Sequence, residues 1–365
     1  METGTVAELV TQARAALRRA TDPDGPDDPE DRDDWHVYAS LLWRAAADGA
    51  ALPLGLELIG SADPIARETG CDLLRDASSQ HEAGRAGTAA ALVALARREA
   101  EDRVLRSLAR AIGTTRDPRA VPVLVALAGH PEAEVREEVA RSFAEVVTGL
   151  PDGPDIHTLI GLTRDPDPHV RDWATFTLGV QAEVDGPAIR AALLERTADE
   201  HAGTRAEAIH ALARRHDPRA VPLLAGLIGH PEGVHALTFS ATRLTDVPEP
   251  LPALQEYEPG DDWVTDAVNA CNPVRRARLD AWAWELVSTL HRIRPDLDAA
   301  VSMERFGWGR CLGVDAAFGP SGYDVEALLV RADGSPARAA ELVAADLPGT
   351  PPGSPPGSPP GRRPE

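Results

Sequence analysis

Histidine, aspartate, glutamate and tryptophan are the side chains here that are suited to chemistry, and their spacing decides which chemistry is open. One His-Glu dipeptide occurs, His81-Glu82, whereas His130 and His230 stand in His-Pro-Glu runs whose proline displaces the acid by one position. His210 and His216 are six residues apart, and His230 and His235 are five apart. Neither spacing puts two imidazoles on one helical face, so no metal site is expected. Asp172 and Trp173 are adjacent, with Phe176 and then Glu207 following. Tryptophan is favoured at interface hot spots, which makes this group a candidate contact for a partner surface. Core packing for the two aromatics, and plain solvation for Asp172 and Glu207, are the competing readings. No lysine occurs, which removes Schiff-base catalysis. No GxSxG, Walker, GxGxxG or CxxC pattern stands in context. GWGRCLG (307–313) lies between apparent strands and reads as a hairpin, Gly307 and Gly309 supplying the turn. No catalytic residue and no cofactor is expected.

A repeat positions these residues. DPRAVPVLVALAGHPE (117–132) returns as DPRAVPLLAGLIGHPE (217–232), with twelve of sixteen positions identical and an offset of 100 residues. That offset is three periods of about 33, the length of helical-pair repeats. Apolar spacing predicts helix pairs at 51–60 with 63–77, 81–100 with 101–113, and 119–129 with 132–146. Further pairs are predicted at 154–163 with 168–180, 187–197 with 203–215, and 219–229 with 232–244. In GHPE, Gly ends one helix, Pro opens the next and Glu meets its positive end. Pro122 and Pro222 either bend their helices or mark a first turn. Ala174 and Leu178 follow Arg171 at +3 and +7, as Ala208 and Leu212 follow Arg205 and Val139 and Phe143 follow Arg136. That spacing predicts one buried stripe on each second helix.

Residues 165–179, DPDPHVRDWATFTLG, resemble the second helix of HEAT-like repeats of the bacterial type named after phycobilisome lyases. In that family an Asp in the inter-helix turn precedes an Arg by six residues. Asp165 with Arg171 and Asp199 with Arg205 fit the pattern, while His130 and Ser61 replace the acid before Arg136 and Arg67. The resemblance covers roughly residues 50–272. It implies a polar ladder of Asp and Arg along the array, and a concave face of second helices where partners bind. It implies a fold more than an activity, since most such arrays are scaffolds and a few are enzymes. The deoxyhypusine hydroxylases hold iron with several His-Glu dipeptides, of which this chain has one. A DNA-repair family of similar repeats uses Trp and Asp in a basic groove; Trp173 beside Asp172 is similar, but the charge here weighs against it.

The formal charge is −21, from 58 acids against 37 bases, all arginine. That field repels phosphate backbones and anionic membranes, so neither nucleic acid nor membrane is an expected partner. Three distant cysteines without disulfide spacing, no secretory leader and no long apolar run point to the cytoplasm.

The expected fold is an all-α superhelical solenoid of HEAT-like hairpins with a small C-terminal α+β domain and a disordered Pro/Gly tail. Residues 1–34 hold a first helix and an acidic linker, and the solenoid spans 35–275. The α+β domain spans 276–347, with strands in AAVSMERF, CLGVDAAF and DVEALLVR, and the tail spans 348–365. The function these features suggest is a non-catalytic protein-binding scaffold whose partner carries a basic surface. Its contacts would come from Arg136, Arg171, Asp172, Trp173, Phe176, Arg205 and Glu207 on the second helices. The alternative is an enzyme or small-molecule binder with a site at the junction with the C-terminal domain, around Trp282, Trp284, Trp308 and Tyr323.

Overall fold

The computed structural model describes residues 4–21, 31–228, 236–245, 247–257, 262–303, 309–316 and 319–347. Residues 22–30 of the acidic linker, the second GHPE turn with His230 and His235, Gly307 and Trp308, and the tail lie outside the described residues. Contacts divide the chain into two units, 1–212 and 213–365.

In the first unit α1 (Val6–Ala20) and α2 (Asp31–Ala46) pack against each other and against the helix Pro64–Gln80. Thr5 caps α1, its side chain accepting from the Glu8 amide while the Glu8 carboxylate accepts from the Thr5 amide. Helix α2 begins at Asp31, four residues before Trp35, where the linker was expected to end. Acids in the first turn of a helix complement its dipole, so the end of an acidic run is a favourable place to start one.

Five helical hairpins follow: α3 (Ala51–Leu58) with α4 (Pro64–Gln80), α5 (Arg85–Ala96) with α6 (Asp102–Thr115), α7 (Val121–Leu127) with α8 (Ala133–Val146), α9 (Pro154–Leu162) with α10 (Pro168–Phe176), and α11 (Pro187–Arg196) with α12 (Ala202–Arg214). One turn of π-helix, Thr177–Gln181, prolongs α10. The second helices stack in order, α4 on α6, α6 on α8 and α8 on α10. The stripe expected from the +3 and +7 spacing is the core of that stack, for Val139, Phe143, Ala174, Leu178, Ala208 and Leu212 are all fully buried. Pro122 lies in the first turn of α7, where its missing amide costs nothing. Asp117 starts that segment by accepting from the Arg119 amide at 3.0 Å.

The second unit opens with α13 (Ala220–Ile228), α14 (Ala236–Thr245), α15 (Leu251–Leu254) and α16 (Asp262–Cys271). Then come the 21-residue α17 (Pro273–Ile293), strands β1 (Asp298–Met303), β2 (Arg310–Ala316) and β3 (Gly319–Asp324), and helices α18 (Val325–Arg331) and α19 (Pro336–Asp346). The solenoid boundary expected at 275/276 falls inside α17. The sheet is antiparallel in the order β1-β2-β3, with Ala299 opposite Val314 and Val314 opposite Ser321. Leu312 and Val314 project from it onto Leu286 and Leu290 of α17 and Leu328 and Val343 of the last two helices.

The third strand is not where the apolar run placed it. GPSGYD pairs with β2, and the stretch expected as a strand, DVEALLVR, is α18. Asp324 accepts from the Ala327 amide at 2.6 Å and caps the helix, and the buried residues Val325, Leu328 and Leu329 have helical spacing.

Candidate partner-binding face on the second helices

The turn arginines form a repeated device. Arg171 turns Nη1 back onto its own inter-helix turn, donating to the carbonyls of Asp165 (3.0 Å) and Pro166 (3.1 Å). Its Nε and Nη2 reach forward to Asp199 of the next repeat at 2.9 and 3.1 Å. Arg136 does the same, with the carbonyls of His130 and Pro131 behind it and Asp165 ahead at 2.7 and 2.8 Å. Arg67 binds the carbonyls of Ser61 and Ala62 and the carboxylate of Glu99. Arg205 binds the carbonyls of Asp199 and Glu200 at 2.7 and 2.8 Å. Each acid also accepts the amide two residues on, Asp167 for Asp165 and His201 for Asp199. Ser61 and His130 keep that backbone role, accepting from the amides of Asp63 and Glu132. The acid six residues before an arginine therefore meets the arginine of the preceding repeat, while its own arginine holds its carbonyl. Burial works against ionisation of Asp199, yet Arg171, the His201 amide and Arg196 outweigh it and bring the carboxyl down to about 2.

These contacts engage Arg136, Arg171 and Arg205 within the chain. Asp172, Trp173, Phe176 and Glu207 have different surroundings. The Trp173 and Phe176 rings meet edge to face at 5.8 Å, and the Arg141 guanidinium lies over Trp173 at 4.2 Å from its centroid. All four side chains keep partial exposure. Asp172 accepts from Thr204 Oγ1 at 2.8 Å, which ties α10 to α12. Among the described residues no donor reaches the buried Oε2 of Glu207. Burial, and then the charge of Asp172, push the Glu207 carboxyl up to about 7.

A family model described as HEAT repeats matches residues 88–155 and 156–243. Residues 88–243 are HEAT repeats. YibA of Escherichia coli is similar in structure, with a TM-score of 0.54 at 20% identity over 74% of this chain and 98% of that one. An engineered protein gives 0.50 at 17% identity over 80% and 84%. The complex of CpcE and CpcF of phycocyanin lyase from Nostoc gives 0.39 at 17% identity over 60% and 93%. No curated protein matches the chain by sequence.

The HEAT second helices carry more charge inward than the spacing of Arg136, Arg171 and Arg205 announced. Glu68, Asp72 and Asp76 lie four residues apart on one face of α4 and are all buried. Arg103 of α6 pairs with Glu68, Arg75 joins Asp72 and Asp76, and Arg110 reaches Glu138 of α8 at 2.6 Å. Glu138 and Glu137 in turn contact Arg141, so the network ends under Trp173. The i, i+4, i+8 spacing of the three α4 acids was the available signal, but carboxylates on a helix are read by default as a solvated face.

Among the described members of the aromatic set proposed for the alternative site, Trp282 and Trp284 do not converge. Trp282 packs on the core of the second unit beneath Arg278, whereas Trp284 is 74% exposed. Two residues along a helix are about 200° apart, so the two rings leave opposite faces of α17. Tyr323 donates to Asp346 at 3.0 Å. Trp308 lies outside the described residues.

Glu207 yields a direct prediction. A carboxyl raised in the folded state contributes stability that is full below its ordinary value of 4.5 and is lost as pH rises through about 7. The partly exposed site reduces the penalty, which is on the order of 1–2 kcal/mol at pH 8. Glu207→Gln is therefore expected to unfold at higher denaturant than wild type at pH 8 and at nearly the same denaturant at pH 5. A variant weaker than wild type at pH 8 contradicts this assignment.

Proposed function

We propose that this protein is a non-catalytic scaffold, working in the cytoplasm, that holds a partner protein by a basic surface patch on the face formed by α8, α10 and α12. The observation that carries the reading is the Glu207 carboxylate, with one oxygen buried and no donor reaching it among the described residues, beside Asp172. A carboxylate whose ionisation is held back by burial and by the charge of Asp172 is stabilised when a guanidinium or ammonium group comes within Coulombic reach. The Trp173 ring already accepts a guanidinium from within the chain, which supports the same chemistry for a partner's cation. Among the described residues no helix is long and apolar enough to cross a membrane.

Capture from a lysate of the native host tests the reading when wild type and Trp173→Ala are compared. A specific partner should be retained by wild type and bind the variant about 30-fold more weakly, the loss of a hot-spot aromatic of about 2 kcal/mol. Binding should also tighten between pH 6 and pH 8 as Glu207 ionises, and Glu207→Gln should flatten that dependence. Identical capture profiles for wild type, the variant and a charge-matched control would remove the proposal.

A further inference from the structure

A separate site lies wholly within the second unit. A cavity of about 170 Å³ opens among α14, α16, α17, α18 and the start of β2. Four arginines line it, Arg243, Arg275, Arg276 and Arg310, against two carboxylates, Asp266 and Glu326. A basic hollow is unexpected in a chain of charge −21. Its geometry is asymmetric as well. Arg310 is 9% exposed, while Asp280, which it bonds at 2.7 Å, is 64% exposed. Arg243 is 17% exposed and its partner Asp266 52%. In these two pairs the cation is held inward and its anion sits at the rim, whereas Arg275, 33% exposed, bonds Glu326, 24% exposed, at 2.8 Å. Arg275 and Arg276 also occupy the first turn of the 21-residue α17, whose positive end disfavours cations. This helix has no acid in its first turn. Four arginines thus face Asp266, Asp280 and Glu326, which leaves the hollow net positive, and water screens the two carboxylates at the rim, Asp266 and Asp280, more than the arginines they pair with.

A second, wider depression of about 500 Å³ shares Arg276 and Arg310 with the first. Its remaining wall is apolar in large part, with Val287, Val301, Met303 and the exposed Trp284. One hollow suits a multiply charged anion and the adjoining one suits a flat apolar body. A phosphate monoester matches the first better than a carboxylate does, because it brings close to two negative charges and three acceptor oxygens to a set of forked donors.

We propose that this double hollow binds an aromatic phosphate monoester, its phosphate among Arg275, Arg276 and Arg310 and its ring against Trp284. The site shares no residue with the face on α8, α10 and α12, so either can fail without the other. Titration calorimetry on the full chain at low salt, with phenyl phosphate, inorganic phosphate and phenol as probes, tests it. Phenyl phosphate should bind with a dissociation constant below about 1 mM, and inorganic phosphate about fivefold more weakly for want of the ring contact. Phenol alone should show no heat. Arg276→Gln, at the mouth of both hollows, should weaken phenyl phosphate about tenfold. Trp284→Ala should bring phenyl phosphate down to the affinity of inorganic phosphate and leave the latter unchanged. Arg310→Gln is a third variant, to be used only if its circular dichroism matches wild type. No binding of phenyl phosphate up to about 10 mM, or equal binding by wild type and Arg276→Gln, would overturn the proposal. Equal affinity of the two phosphates in wild type would overturn the ring contact.

Discussion

Arg171→Ala is expected to lower stability by about 3 kcal/mol, near the low end of the cost of breaking a buried ion pair. Three losses combine. Asp199, whose side chain is 2% exposed, loses two charge-assisted hydrogen bonds. The carbonyls of Asp165 and Pro166 lose the Nη1 donor that holds the turn before α10. The forward reach from one repeat to the next is lost with them. Arg196, which bonds Asp199 at 2.9 Å, keeps the carboxylate from being stranded, and this places the effect below the maximum. In a thermal melt the change corresponds to roughly 6–10 °C for a unit of this size. Arg171→Lys keeps the charge but cannot fork, and should fall between the two. Arg164→Ala is the control, because Arg164 and Glu195 are about half exposed and such pairs contribute at most about 1 kcal/mol. The acid limb should respond too. Asp199 is held below its ordinary 3.8, so it contributes stability that is present above that value and lost as pH falls towards about 2. In Arg171→Ala that acid-side loss should shrink. A variant no weaker than Arg164→Ala would show that the ladder is decoration on a stack held by its apolar stripe.

The ladder also shows how far a sequence can be read. Its local half is written in one turn: six residues separate Asp165 from Arg171 because that arginine returns to the Asp165 carbonyl. The apolar stripe is equally local, and Val139, Phe143, Ala174 and Leu178 are buried as their spacing required. The forward half joins residues 28 to 32 apart, and spacing within a repeat does not predict it. Glu99 illustrates this. Six residues on stands Leu105, so nothing local marks Glu99 as a ladder acid, yet it receives Arg67. The same limit applies to function. Glu207 lies next to Ala206 and Ala208 and looks like a solvated helix carboxylate. Its displaced ionisation comes from burial and from Asp172, 35 residues earlier on a different helix. In the second unit the failure is of another kind. GPSGYD has few strand formers, and it is a strand only because β2 offers it an edge. DVEALLVR has the apolar density of a strand, but its aspartate and its burial period belong to a helix.

Gly179→Ala should weaken the protein by about 2–3 kcal/mol, despite the better helix propensity of alanine. A β-carbon at Gly179 would stand 2.4 Å from the Ala211 β-carbon and 3.5 Å from Leu193 Cδ2. Carbon atoms meet comfortably near 3.5–4.0 Å, and an alanine fixed on α12 has no torsion by which to withdraw. Either the π-turn that follows α10 must shift, or α12 must move away. Both moves act on the candidate face. Separation of α10 from α12 strains the hydrogen bond from Thr204 to Asp172 and lets water reach Glu207. The Glu207 carboxyl should then fall back towards 4.5, and the loss of stability between pH 5 and pH 8 should flatten. The compensating change distinguishes a steric cause from a general one. Ala211→Gly removes the opposing methyl group at a cost of about 1 kcal/mol in a helix interior. The double variant should therefore be at least 1 kcal/mol more stable than the sum of the two single losses. Additive losses, or a Gly179→Ala protein that melts with wild type and keeps its pH dependence, would mean that the two helices have room to part. The spacing that keeps Glu207 dry would then come from elsewhere.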